Sequence, residues 1–181
     1  MQCLIEPELN RDETALFHHI YRQAAELLSE KGRLLPTAFF RAGVHVRLPG
    51  LAPGAIAVLP LDMPGDQDGK DAVADMLRQF AARVDATLAV LVFESWMVRP
   101  TAEEARQFQT RGEFVVPPSE HPDRIEVVFI SVNKPGGHTW SAWVEIGRDG
   151  DGRPTIPAEP PALEYLRAEG RFANILDGDG S

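Results

Sequence analysis

The stretch Thr87–Val98, which reads TLAVLVFESWMV, decides the fold because it contains the longest apolar run in the chain. Successive residues of a strand point to opposite faces of a sheet, and here both alternating sets are apolar until Glu94. A strand that is apolar on both faces lies in the interior of a sheet, often beneath helices. The segment therefore predicts a central strand, and Glu94 is the first residue to interrupt its apolar character.

Two further strands are predicted on the C-terminal side of this segment. Ile125–Asn133 and His138–Gly147 are rich in β-branched and aromatic residues, and the turn Lys134–Gly137 between them holds a proline and two glycines. Short connections of this kind join antiparallel strands, so we predict a meander. The long segment Arg99–Asp123 separates the central strand from the meander, and we expect it to contain a short helix.

Two helices and a hairpin are predicted on the N-terminal side. Apolar residues recur at steps of three and four in Asp12–Lys31, and Asn10 can cap the start of that helix. Val44–Leu48 and Ala55–Leu61 follow a two-residue period and predict a hairpin. A second amphipathic helix is predicted over Lys70–Val84.

These elements predict an α+β fold, a two-layer sandwich in the order α-β-β-α-β-β-β. Its mainly antiparallel sheet would carry both helices on one face and end in a C-terminal arm. We expect a single domain over residues 1–181, with residues 173–181 frayed. The residues expected to be buried between the helices and the sheet are Leu16, Ile20, Leu27, Val73, Leu77, Phe80, Val90, Val92, Val127 and Phe129.

The composition excludes some classes of partner. Acidic residues outnumber basic ones 27 to 18, which gives a net charge of -9. Binding to nucleic acid or to an anionic membrane surface requires a basic footprint, so we expect neither as a partner. The single cysteine, Cys3, cannot form an internal disulfide, and the first residues lack the apolar run of a signal peptide, so we expect a cytoplasmic location. The sequence contains no nucleotide- or zinc-binding motif, and we expect no cofactor and no metal.

The predicted meander brings three strand ends to one edge of the sheet. In one interpretation, Glu94 forms a partly buried ion pair with Arg124, because an unpaired buried carboxylate is costly. In another, the loop 99–123 covers a pocket in which His121 acts as acid or base beside a carboxylate. A metal site on His121 and nearby acids is a third, although the spacing matches no metal motif. The candidates for catalysis are His121, Glu94, Glu120 and Glu126, and the candidates for binding are Trp96, Glu120, Asp123 and Arg124.

The same edge carries a resemblance to other proteins. Phe93–Val98 reads FESWMV and Pro118–Glu126 reads PSEHPDRIE. Together they resemble a set of uncharacterised bacterial proteins in which a strand ending in S/E-x-W-M leads to a P-S-E-x-P-x-R-x-E segment. The resemblance covers under a fifth of the chain. That family has no assigned activity, so the resemblance draws attention to this edge without implying a reaction.

The sequence predicts a small soluble, non-enzymatic domain that binds a partner or associates with itself. Catalytic motifs are absent from the sequence, and helices on one face only would leave apolar residues of Thr87–Phe93 exposed on the other face. A two-fold homodimer is the commonest way to cover such a face. The alternative is a hydrolase-like enzyme with His121 and a carboxylate at the sheet edge. The identity of any small-molecule ligand stays open.

Overall fold

An antiparallel six-stranded sheet forms the centre of the structure. The structure is a computed structural model, and it describes residues 8–111, 116, 120–167, 172 and 175–177. The helices in these residues are α1 (Arg11–Lys31), α2 (Gln67–Val84) and α3 (Ala102–Arg111). The strands are β1 (Thr37–Arg41), β2 (Ile56–Pro60), β3 (Leu88–Val98), β4 (Arg124–Lys134), β5 (His138–Glu145), β6 (Gly147–Arg148), β7 (Pro154–Thr155) and β8 (Glu164–Arg167). The sheet order is β2-β1-β3-β4-β5-β8, and β6 pairs with β7 in a separate hairpin. The predicted α+β class and antiparallel sheet are confirmed.

The two long helices lie on opposite faces of the sheet, so the predicted two-layer arrangement with both helices on one face is wrong. The core beneath α1 contains Val90 and Val92, whereas the core beneath α2 contains Ala89 and Leu91. These residues alternate along β3 and therefore point to opposite sides. The physical reason is the apolar character of both sets, since each face needs its own cover.

The two helices are also offset across the sheet. The core of α1 extends over β4 and β5 and includes Ile130 and Trp140. The core of α2 extends in the other direction, over β1, and includes Ala38 and Phe40. In the described part of the chain, the α1 face of β1 and β2 is therefore left without a covering helix.

The first strand begins earlier than the sequence predicts. β1 occupies Thr37–Arg41, and the predicted strand Val44–Leu48 is a turn instead. The backbone N–H of Gly43 donates to the carbonyl of Val84, at the end of α2. A Cβ at Gly43 would lie 2.2 Å from the backbone oxygen of Asp85, so only glycine fits this approach. This docking on the end of α2 withdraws the segment from the sheet.

The C-terminal arm joins the sheet as its edge strand. β8 pairs with β5, with Tyr165 opposite Trp140. Of the predicted frayed tail, the structure describes residues 175–177, and these are packed because Ile175 is buried and the carboxylate of Asp177 accepts a hydrogen bond from the Gly136 N–H. Residues 173–174 and 178–181 lie outside the described part.

The predicted core is confirmed for part of its members. Ile20, Leu77, Val90, Val92 and Val127 are buried. Leu16, Val73, Phe80 and Phe129 are half-buried. Leu27 is the clear exception, since 48% of it is exposed. Leu27 faces the part of the sheet that α1 does not cover.

The N-terminus of α1 is fixed to the sheet by a buried carboxylate. The predicted capping box is present, with the Asn10 side chain accepting from the Glu13 N–H and the Glu13 carboxylate accepting from the Asn10 N–H. Glu13 also binds Arg41 at the end of β1, at 3.2 Å, and Lys134 at the end of β4, at 3.0 Å. One side chain thus joins the helix to two strands.

None of the helices in the described ranges has the length and apolar character needed to span a membrane.

Candidate functional site

The sheet edge predicted from the meander is present. Val98 lies opposite Arg124 and Trp96 lies opposite Glu126, while Glu145 lies opposite Val127, the next residue of β4. Trp96, Arg124 and Glu126 point to the face that carries α1, because residues two apart on a strand and directly paired residues share a face. The register therefore brings together the strand residues that the sequence placed at this edge.

The predicted ion pair between Glu94 and Arg124 is not formed, although the structure describes both residues. Val98 is the residue of β3 opposite Arg124, and Glu94 lies four residues before Val98. The two positions are therefore about 13 Å apart along the strand. The Glu94 carboxylate instead accepts a hydrogen bond from the backbone N–H of Leu34. That N–H is not part of the sheet, because β1 begins only at Thr37, opposite Val92. Beyond Val92, β4 is the sole strand beside β3 in the described residues. Glu94 therefore ties the α1–β1 loop to the sheet.

The exposed part of the edge is a set of surface contacts. The guanidinium of Arg124 lies 4.8 Å from the centre of the Trp96 ring, and 41% of Trp96 is exposed. Glu126 pairs with Arg148 at 2.9 Å. Exposed cation–π contacts and surface ion pairs each contribute about 1 kcal/mol or less. These contacts stabilise the edge weakly.

His121 has a carboxylate partner, but it is not one of the candidates named from the sequence. Its Nδ1 accepts from the Asp123 N–H at 3.1 Å, so Nε2 carries the proton and donates to Glu104 at 2.9 Å. Glu104 also closes a capping box at the start of α3, where Thr101 donates to it from both its hydroxyl and its N–H. These two bonds from Thr101, followed by the bond from His121, lower the pKa of Glu104 to about 2.

The His121–Glu104 pair holds α3 to the start of β4. His121 is buried and both of its ring nitrogens are engaged, so a substrate would first have to displace a protein partner. Glu120 and Asp123 are exposed on the turn around it, and only the backbone of Asp123 takes part. Within the described residues, no three histidine, cysteine or acidic side chains lie close enough together to hold a metal ion.

A groove that the sequence analysis missed lies between α1 and the uncovered part of the sheet. Ile20, Ala24 and Leu27 form one wall along α1, and Phe39 of β1 and Val58 of β2 belong to the floor. We call this site the α1–β1 groove. Its volume is about 680 Å³. Ligand pockets fall in the range of about 300–1,000 Å³, so the groove is of suitable size for a small molecule.

The walls of the groove are apolar and open to solvent. Leu35, at the end of the α1–β1 loop, is 63% exposed, and Val58 is 56% exposed. With Leu27 they form an apolar group on the surface of a single chain. The polar lining residues include Thr37 and two cations, Lys31 and Arg33.

The sequence held one signal for this groove. Leu27 is part of the apolar stripe of α1, but the stripe is wider than the surface that α1 buries against β3, β4 and β5. The floor could not be found because it depends on where β1 begins, and β1 was predicted at Val44–Leu48.

Comparison with known proteins identifies no relative. No family model, no curated protein and no solved structure matches this chain. The resemblance at Phe93–Val98 and Pro118–Glu126 therefore stays a prediction, and residues 118–119 of it lie outside the described part.

Proposed function

We propose that this chain is a non-enzymatic binding domain that takes an apolar ligand into the α1–β1 groove. The observation that carries the proposal is the groove itself, with about 680 Å³ of space lined by apolar side chains of α1, β1, β2 and β3. Concave apolar sites with a few polar groups are the usual form of a small-molecule site. The offset of the two helices supplies this concavity, because α1 leaves two strands uncovered.

Burial of the exposed apolar residues supplies the driving force. Leu27, Leu35 and Val58 are each about half exposed or more. Removing apolar surface from water is favourable by about 25 cal/mol per Å². A clustered apolar surface of this kind marks an interaction site more often than scattered apolar residues do.

The hydrolase alternative has less support. A general base needs a ring nitrogen within reach of the substrate proton, and both nitrogens of His121 already bond to the protein. Two of the predicted carboxylates also have partners, since Glu94 accepts from Leu34 and Glu126 pairs with Arg148. The arrangement at this edge supports a structural role for these groups.

The proposal is tested with a neutral apolar probe, the dye Nile red, whose fluorescence rises in apolar surroundings. We expect the wild-type protein to bind the dye and the double variant Leu27→Glu/Val58→Glu to lose at least about tenfold in affinity, because each change places a charge beside the apolar ligand. Both residues are half exposed, so the variant should fold normally. The measurement is a fluorescence titration, with circular dichroism as the check on folding.

The control is Val44→Glu, which adds one glutamate, against two in the double variant, at a residue that is 76% exposed and lies outside the groove lining. We expect its dye affinity to equal that of the wild type. Equal loss in both variants, or no loss in either, would contradict the assignment of the groove.

Self-association through the same surface is a second candidate function. In the described residues, β2 is an edge strand paired with β1 alone, and its exposed Val58 lies beside the groove. A second copy could pair along this edge and cover Leu27 and Leu35, which would give the predicted cytoplasmic homodimer. Light scattering after size-exclusion chromatography tests this candidate. A dimer that Leu27→Glu/Val58→Glu converts to a monomer would support it, and a wild-type monomer at micromolar concentration would exclude it.

A further inference from the structure

The charge of the α1–β1 groove is opposite to the charge of the whole chain. Acidic residues exceed basic ones by nine in the sequence, yet the described lining residues include Lys31 and Arg33 and no carboxylate. An acidic protein thus presents a positive group beside its apolar groove. Charge complementarity points to an anionic ligand.

Lys31 and Arg33 have no carboxylate partner within 4 Å among the described residues. The contrast is with Arg41, on the same face of the sheet at the other end of β1. Arg41 is neutralised by Glu13 at 3.2 Å. Lys31 and Arg33 therefore lie without an ion-pair partner at one end of the groove, where the carboxylate of Glu94 is held by the Leu34 N–H, and Arg41 is neutralised beyond the other end.

The groove is polarised along its length. β1 runs antiparallel to α1, because the α1–β1 loop joins the end of α1 to Thr37 while Arg41 contacts Glu13 at the start of α1. The cations lie at the Thr37 end, and Ile20 lies toward the other. From Ile20 to Lys31 the helix rises about 16 Å, which sets the length available to an extended apolar chain.

We propose that the ligand is a free, single-chain amphiphile with an anionic head, of the chemical class of a long-chain carboxylate. This inference rests on the proposed function and names its ligand class. The chain lies along α1 over Phe39 and Val58, and the head group meets Lys31 and Arg33. A membrane surface is a poorer match than a free molecule, because a net charge of -9 repels an anionic bilayer.

The experiment compares three probes with the same chain and different heads, namely dodecanoate, dodecanol and dodecyltrimethylammonium, the two ionic probes below their micelle concentrations and dodecanol below its solubility limit. We expect calorimetric titration of the wild-type protein to show dodecanoate binding about tenfold more tightly than dodecanol, as two partly exposed charge contacts would give. The cationic probe should bind more weakly than dodecanol. The preference for dodecanoate should shrink in high salt.

Two double variants locate the head group. Lys31→Gln/Arg33→Gln should bind dodecanol with unchanged affinity and lose the preference for dodecanoate. Arg11→Gln/Arg22→Gln removes the same charge from exposed positions of α1 outside the groove lining, and it should keep the preference. Because all four residues are exposed, both variants should fold.

The outcomes separate this inference from the proposed function. Equal affinities of the wild type for dodecanoate and dodecanol would overturn the anionic head and leave the groove standing. A preference that survives in Lys31→Gln/Arg33→Gln would overturn the placement of the head at these residues. Both proposals would be overturned if the wild type bound neither dodecanoate nor dodecanol and if the affinity for Nile red were unchanged in Leu27→Glu/Val58→Glu.

Discussion

At the scale of single residues, Glu13 is the carboxylate on which the attachment of α1 depends. It is only 2% exposed and accepts from the Asn10 N–H, Arg41 and Lys134. Burial raises the pKa of Glu13, but the Asn10 N–H, then Lys134 and then Arg41 outweigh burial, and the net pKa is lowered. The folded protein therefore favours the ionised form.

The substitution Glu13→Gln keeps the shape of the side chain and removes its charge. We expect the free energy of unfolding at pH 7 to fall by about 2 kcal/mol. Removing one member of a fully buried ion pair costs about 3–5 kcal/mol, and the cost is lower here because the side chains of Arg41 and Lys134 are each about a quarter exposed. The measurement is urea denaturation. Glu103→Gln, which breaks an exposed pair with Arg106, is the control and should change stability by about 0.5 kcal/mol or less.

The same comparison has a defined pH dependence. A lowered pKa in the folded state stabilises the protein above the unfolded carboxyl pKa of about 4.3, and that stabilisation is lost as the pH falls through the folded pKa. The difference between wild type and Glu13→Gln should therefore be full at neutral pH and shrink below about pH 4. A difference that grows on acidification would contradict the direction of the shift.

At the scale of elements, the docking of α2 on the face opposite α1 can be tested through one side chain. Leu77 is fully buried against β1 and β3, whereas its neighbour Met76 is 42% exposed. We expect Leu77→Ala to cost about 3 kcal/mol in denaturation experiments, from lost transfer energy and the cavity left behind. Met76→Ala, the control, should cost less than about 1 kcal/mol. Similar losses at both positions would mean that α2 is rotated from the orientation described.

At the scale of the whole molecule, the double cover of the sheet predicts where the structure opens last. The first half of β3 pairs with β1 and β4 and lies between α1 and α2. Its amides from Ala89 to Val92 should exchange with deuterium only through global unfolding. The edge strand β2, which lies beside the α1–β1 groove, should exchange much faster. Hydrogen exchange read by mass spectrometry measures both, and equal protection of β2 and β3 would contradict this order.

Ligand binding extends this expectation. An occupant of the groove that binds only the folded chain stabilises it by mass action. Because the groove is lined by α1, β1 and β2, the added protection should concentrate there and leave β8, at the other edge, unchanged.

The candidate site could be predicted only in part. The sequence placed Trp96, Arg124 and Glu126 at one edge, because antiparallel pairing of consecutive strands brings the end of one strand beside the start of the next. It named the wrong partners for Glu94 and His121. Leu34 and Glu104 meet them across distances of 60 and 17 residues, and such contacts have no local signal.

What the sequence determined by itself is local. The cap at Asn10 set the start of α1, and the apolar run after Thr87 made β3 the centre of an antiparallel α+β sheet. The tertiary structure alone decided which face each helix covers and how far each reaches across the strands. Periodicity shows that a helix has an apolar stripe, but the strands it meets depend on packing between distant segments. The α1–β1 groove arises from that packing, because it is the surface that two offset helices leave uncovered.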